Sequence, residues 1–187
     1  MGRIVVTEFV SLDGVIEDPG GAEDFEHGGW SFEFSRGDEG DKFKLDEALG
    51  ADALLLGRRT YEGFAAAWPS RSGEFADKFN QMPKYVVSST LSDPDWTNST
   101  VLDGLDGVPG LRDEHDGDVV VHGSGQLVQS LLERDLVDEL RLMVFPVVLG
   151  KGKRLFGETS AKKPLRLTDS RTVGDGVEIM VYEPVRD

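Results

Sequence analysis

Residues 118 to 133, Asp-Val-Val-Val-His-Gly-Ser-Gly-Gln-Leu-Val-Gln-Ser-Leu-Leu-Glu, pass from one structural period to another within three residues. Val119, Val120 and Val121 are consecutive and β-branched, the pattern of a strand buried on both faces. Leu127, Val128, Leu131 and Leu132 recur at helical spacing and form one apolar stripe. Between the two runs, Gly123, Ser124 and Gly125 turn the chain at the positive end of the coming helix dipole, where backbone N–H groups can meet a phosphate. A single Gly-x-Gly fits equally well with a tight strand-to-helix turn that serves only steric needs.

The same transition occurs earlier. Ala53 to Leu56 form an apolar run, Gly57-Arg58-Arg59-Thr60 follow, and a helix carrying Tyr61, Phe64, Ala65 and Trp68 stops at Pro69. Here two guanidiniums and a hydroxyl stand at a helix N-terminus, a local chemistry that suits an anion; plain solvent exposure of the arginines is the competing reading. Two further strands end in polar turns: Arg3 to Val10 runs into Ser11-Leu12-Asp13-Gly14, and Tyr85 to Val87 into Ser88-Ser89-Thr90. Those hydroxyls can hold phosphate or cap their own loop, and Asp13 can serve chemistry or an Asx-turn before Gly14.

The remaining elements complete one domain over residues 1–187. A helix is expected from about Asp38 to Leu49 with Phe43, Leu45, Ala48 and Leu49 inward, stopped by Gly50; others are expected near 73–81 and 105–111. A short strand is expected at 99–102 and a longer one at 136–146. The alternating runs 165–173 and 177–183, joined by Gly174-Asp175-Gly176, read as a hairpin. The expected fold is α/β, a mostly parallel central sheet with an antiparallel C-terminal hairpin and helices on both faces.

The chain carries 35 acidic against 20 basic residues, a formal net charge of -15. That field repels nucleic acid and anionic lipid, so neither is an expected partner; an acidic excess also fits a salt-adapted source. There are no cysteines, which removes disulfides and thiolate metal sites and fits a reducing, cytoplasmic compartment. No metal site is expected. The start enters a strand pattern directly, and no apolar run reaches about 18 residues, so neither secretion nor membrane spanning is expected. Residues 17 to 40 form a long Gly- and acid-rich loop with scattered aromatics, of the kind that closes over ligands. Phe25, Phe32 and Phe34 are expected to anchor this flap. Trp30, after Gly28-Gly29, is expected to face the substrate.

Open α/β sheets bind ligands beyond the carboxyl ends of their strands. If the four polar strand ends lie along one edge, they suit a dinucleotide, with Arg58 or Arg59 for an extra phosphate. The succession Ser-Leu-Asp-Gly, Leu-Gly-Arg-Arg-Thr-Tyr-Glu, Val-Val-Ser-Ser-Thr-Leu, Gly-Ser-Gly-Gln-Leu, Leu-Val-Asp-Glu-Leu and Pro-Val-Val-Leu-Gly-Lys-Gly-Lys-Arg-Leu-Phe resembles the RibD C-terminal domain family, of dihydrofolate reductase-like fold. The resemblance runs from about Ile4 to Val181. It implies NADPH as cofactor, hydride transfer to a small heterocyclic or related substrate, and a homodimer.

By that resemblance, Gly57, Arg58, Arg59 and Thr60 match the turn that meets the cofactor's phosphates. Ser88 and Ser89 match the loop near the adenosine 2′-phosphate, and Gly123, Ser124 and Gly125 the pyrophosphate turn. Asp13 matches the aspartate on the nicotinamide side, a candidate catalytic residue, whereas His122 reads as structural. The likeness has departures. Riboflavin-pathway reductases usually carry a basic residue after Leu-Asp-Gly, where this chain has Val15, and Glu-Gly-Gly at the pyrophosphate turn, where it has His122-Gly123-Ser124-Gly125. The Trp-containing carboxylate motif of dihydrofolate reductases is not found. The likeness is therefore to the stand-alone branch, and the function expected is that of an NADPH-dependent reductase. The alternatives are a non-catalytic nucleotide or small-molecule binding protein, and a riboflavin-pathway pyrimidine reductase.

Overall fold

Eight strands form a single sheet in the computed structural model, which describes residues 1–186. In chain order they are β1 (Arg3–Ser11), β2 (Ala51–Gly57), β3 (Lys84–Val87), β4 (Ser99–Leu102), β5 (Asp118–His122), β6 (Glu139–Phe145), β7 (Leu165–Val173) and β8 (Val177–Pro184). The helices are α1 (Gly37–Gly50), α2 (Arg58–Ala67), α3 (Glu74–Gln81), α4 (Leu111–Glu114) and α5 (Gly125–Glu133), with 3-10 turns at Trp30–Glu33 and Leu105–Gly107. Across the sheet the order is β4-β3-β2-β5-β1-β6-β8-β7. Neighbours from β4 to β6 run parallel; β8 runs antiparallel to β6, and β7 to β8.

Central strands covered on both faces need apolar side chains in unbroken runs. Leu54 to Leu56 and Val119 to Val121 are all 0% exposed. Alternation then sorts the core into two layers. Ile4, Val6, Val119 and Val121 pack with Leu127, Val128 and Leu131 of α5 and Leu111 of α4. Val5, Leu54, Leu56 and Val120 pack with Ala48 of α1, Tyr61 of α2 and Phe79 of α3. A third cluster, from Trp30, Phe145, Val173 and Ile179, closes the hairpin end of the sheet. No helix among the described residues is long and apolar enough to cross a membrane.

Three local expectations change. Residues 136–138 precede β6 instead of extending it, because the Asp138 carboxylate accepts the Ile4 N–H at 2.9 Å and a guanidinium N–H of Arg112 at 3.0 Å. The helix expected over 105–111 becomes a 3-10 turn followed by the short α4, separated at Pro109 and Gly110. The largest change is in α1. Its buried residues are Gly40, Lys44, Glu47 and Ala48, and Leu49 is exposed. The sheet beneath explains it: parallel register aligns His122, Thr7 and Arg141 on three adjacent strands, a polar row facing this helix. Lys44 Nζ donates to Thr7 Oγ1 at 2.9 Å and is ion-paired with Glu47, while Glu47 also meets Arg141 at 3.3 Å. Arg141 is further held by Glu139 at 2.6 Å and Asp118 at 2.8 Å. A buried carboxylate between two cations satisfies what an apolar helix face would have left bare.

Candidate functional site

The carboxyl ends of β3, β2, β5 and β1 stand side by side, in that order. At β2 and β5 the following turns are locked together. Gly57 N–H donates to Ser124 Oγ at 2.9 Å, Ser124 N–H donates to Thr60 Oγ1 at 3.0 Å, and Ser124 Oγ donates to the His122 carbonyl at 2.9 Å. Ser124 sits in the left-handed region at φ 59, a conformation that these three bonds hold against its intrinsic cost. Gly123 has φ 52, and a Cβ there would lie 2.9 Å from Thr60 Oγ1, so only glycine admits the contact.

Those bonds also show which backbone groups remain. The N–H groups of Gly57 and Ser124 are spent on side-chain oxygens, so neither is free for an anion. The ladder of α5 begins with Val128 N–H to the Ser124 carbonyl at 2.9 Å, and the N–H groups of Gly125 and Gln126 precede it, unpaired by the helix itself. The anion-binding capacity lies one step further on than the glycine turn itself, in the first turn of α5. Through the Gly57–Ser124 contact, the positive ends of α2 and α5, helices on opposite faces of the sheet, converge on one point.

Arg58 and Arg59 are both exposed in the first turn of α2. Arg58 Nε donates to Glu62 at 2.8 Å, and its Nη1 reaches Thr90 Oγ1. This ties the arginine turn to the loop after β3. In that loop Ser88 Oγ accepts the N–H groups of Thr90 at 3.2 Å and Leu91 at 3.1 Å, a self-capped turn that still leaves the Ser88 proton to donate; Ser89 is exposed beside it. The geometry thus brings Gly57 to Thr60, Ser88, Ser89 and Gly123 to Gly125 to one edge of the sheet.

Asp13 stands at the same edge as a clamp. Its Oδ1 accepts Ser11 Oγ–H at 2.6 Å and Leu149 N–H at 3.1 Å, and its Oδ2 accepts Gly150 N–H at 2.8 Å. The Ser11 hydroxyl, followed after a smaller opposing effect of burial by the Gly150 and Leu149 amides, holds the carboxyl down at about 2. An acceptor so occupied and so acidic stays ionised near neutrality and has no proton to give. Its work in this geometry is to fasten the turn after β6 onto the turn after β1.

In the flap, Phe34 packs against the core as expected, but two of the four aromatic assignments change. Trp30, expected to face the substrate, is 1% exposed, with its ring edge-on to Phe145 at 5.4 Å and its indole N–H donating to the Glu17 carbonyl at 2.8 Å. Phe32, expected to anchor, is 79% exposed. An indole has one donor to satisfy, and the 3-10 turn at Trp30–Glu33 delivers it to a backbone carbonyl inside the core. Asp18 builds the rest of the loop by accepting the N–H groups of Ala22, Glu23 and Phe25 at 2.7, 3.1 and 3.3 Å.

Two titratable groups under the edge stand out. His122 lies between Phe64 and Phe79, at 6.1 and 5.3 Å between ring centres. Burial, then the Lys44 charge, pushes it down to about 3 against the opposing pull of Glu47, so it is neutral. Glu8, on the opposite face of β1 from Thr7, is 5% exposed, and burial raises its carboxyl well above the ordinary range against the opposing pull of Lys44. Sequence patterning passed over Glu8; the available signal was a carboxylate in a strand whose neighbours Val6 and Val10 on the same face are apolar.

Comparison with known proteins agrees with this architecture. The family model of the RibD C-terminal domain matches residues 3–179. Two uncharacterised proteins of Bacillus subtilis (strain 168) are similar over more than nine-tenths of their length. YyaP is 29% identical over 186 residues, covering 96% of this chain and 94% of the relative; YwjB is 30% identical over 174 residues, covering 91% of each. Among solved structures, a putative riboflavin biosynthesis protein from Shewanella sp. PV-4 superposes with a TM-score of 0.77 at 23% identity, covering 98% of this chain and 99% of that one. The dihydrofolate reductase of Enterococcus faecalis, solved with NADP(H), superposes with a TM-score of 0.59 at 16% identity, covering 98% and 97%. The fold is dihydrofolate reductase-like, and the chain belongs to the RibD C-terminal domain family.

Proposed function

We propose that this protein is an NADPH-dependent reductase of a small, planar heterocyclic substrate. The observation that carries the reading is the interlock of Gly57 with Ser124, which aims two helix N-termini at one point beside exposed arginines in a chain of net charge -15. In an acidic protein a local concentration of positive potential is a specific provision for an anion. The residues present fit a phosphorylated dinucleotide: the first turn of α5 for the pyrophosphate, and Arg58, Arg59 and Ser88 for the 2′-phosphate. A relative of this fold, the Enterococcus faecalis enzyme, was solved with NADP(H).

When bound, reduced nicotinamide would supply the hydride. The chain's own part is to bind, orient and exclude water. The Asp13 clamp keeps the turns after β1 and β6 together, and neutral His122 closes the floor between Phe64 and Phe79. With Asp13 ionised, proton delivery falls to water or to a group of the substrate.

Titration of the purified protein with NADPH, followed by nicotinamide fluorescence, tests the reading; saturation in the micromolar range is expected, and no binding at millimolar cofactor would falsify it. Arg58 is already engaged by Glu62 and Thr90, so Arg59→Ala should weaken NADPH by roughly tenfold and NADH little, as befits one charge-assisted phosphate contact. Equal losses for both cofactors would remove the arginine from 2′-phosphate recognition.

A further inference from the structure

Among the described residues, Glu8 Oε1 is the one buried side-chain oxygen that no donor meets. Its place is set by β1, where alternation with Val6 and Val10 turns the side chain toward α5. On one side its register partner is Leu142 of β6. On the other side β5 has already ended at His122, opposite Thr7, and the chain turns at Gly123, whose backbone opposes the upward shift that burial imposes on the Glu8 carboxyl. Glu8 therefore lies directly beneath the glycine turn, with apolar neighbours and one oxygen unanswered. Such a group destabilises the fold and needs a reason.

We propose that the unmet oxygen of Glu8 recognises the carboxamide of the nicotinamide ring, an inference that rests on the dinucleotide reading above. The order of strand ends gives the direction. Ser88 and Ser89 follow β3, Arg58 and Arg59 follow β2, and the first turn of α5 follows β5. A dinucleotide with its 2′-phosphate at the arginines and its pyrophosphate at α5 has its remaining half over the next strand, β1. Three strand spacings separate β3 from β1, roughly 14 Å, the scale of such a molecule. Glu8 is the polar group of β1 beside that turn.

The chemistry is complementary. A primary amide offers two N–H donors and a carbonyl acceptor. Burial raises the Glu8 carboxyl well above its ordinary range and so favours the protonated form, whose O–H can donate to the amide carbonyl while its own carbonyl oxygen accepts an amide N–H. Such a pair reads the amide and rejects a ring that bears a ketone in its place, because the analogue has no N–H to return.

Calorimetric titration with NADPH and with its 3-acetylpyridine analogue, both reduced, separates the outcomes. The native protein should bind NADPH about tenfold or more tightly than the analogue, the size of one lost buried hydrogen bond. Glu8→Met, which keeps the length and removes the polar atoms, should bring the ratio close to one, and Glu8→Gln, which can also pair with an amide, should keep most of it. An unchanged ratio in Glu8→Met overturns the proposal. So does a native protein that binds both cofactors equally, a result that needs no variant to fold and leaves the NADPH reading standing. Failure to bind NADPH at all would remove that reading, and this inference with it.

Discussion

Two glutamates, on opposite faces of the same sheet, are buried to almost the same degree, Glu8 at 5% exposure and Glu47 at 7%. Their surroundings differ completely. Burial pushes both carboxyls up, but at Glu47 the surrounding cations together, Lys44 ahead of Arg141, outweigh it, and the group ends below its ordinary range. At Glu8 burial dominates, the Lys44 charge acts only from across the sheet, and the group ends well above it. Equal depth thus has opposite consequences, and the number of partners decides which. A carboxylate with a full set of cations holds elements together; one with an unmet oxygen adds nothing to the fold and is free to serve a ligand.

The sharpest way to break this comparison is to remove the charge on the paired side. Glu47→Gln leaves Lys44 and Arg141 buried with less compensation, and the expected loss is about 3 kcal/mol in urea unfolding. A loss below about 0.5 kcal/mol would show that Glu139 and Asp118 suffice for Arg141 and that Glu47 is not a structural ion.

The opposite sign is expected at Glu8. Removing an unmet buried carboxyl in Glu8→Met should stabilise the free protein by about 1 kcal/mol or more. The pH dependence gives an independent check. A folded value above the unfolded 4.5 means that the native state holds the proton longer, so this group's contribution to stability is full below 4.5 and declines as pH rises toward the folded value. In Glu8→Met that part of the decline should vanish. A variant less stable than the native protein throughout would show that Glu8 has a structural partner after all.

The parts of the molecule that were legible in the sequence are those set by local period and turn chemistry. Val119 to Val121 followed by Leu127, Val128, Leu131 and Leu132 gave the β5–α5 unit almost to the residue, and Gly174-Asp175-Gly176 gave the hairpin. Ordered motifs gave the family, and with it the edge where the turns gather. What stayed hidden depends on register. Lys44 and Glu47 were not among the residues expected inward in α1, because nothing local shows that His122, Thr7 and Arg141 align beneath them from three distant strands. Trp30 lies inward and Phe32 outward, against expectation, because the flap has no period from which an inward side could be inferred. Asp13 stayed open between two readings because its partners, Leu149 and Gly150, are supplied by the turn after β6.

Asp13 offers the smallest and most specific test, a third carboxyl to set beside the first two. It is nearer the surface than either glutamate, yet its neighbours are donors, so its carboxyl is held at about 2 against an ordinary 3.8. A depressed value means that the stabilisation is complete above about pH 4 and is lost as pH falls toward 2, when the folded carboxyl takes up its proton. Solvent screening at this partly exposed position reduces the effect to about 1 kcal/mol. Asp13→Asn should therefore be less stable than the native protein at pH 7 and should approach it near pH 2, because only the native protein has this contribution to lose. Unfolding midpoints measured at both values check it. A gap that stays constant with pH would assign the clamp to geometry alone, without a share from the charge.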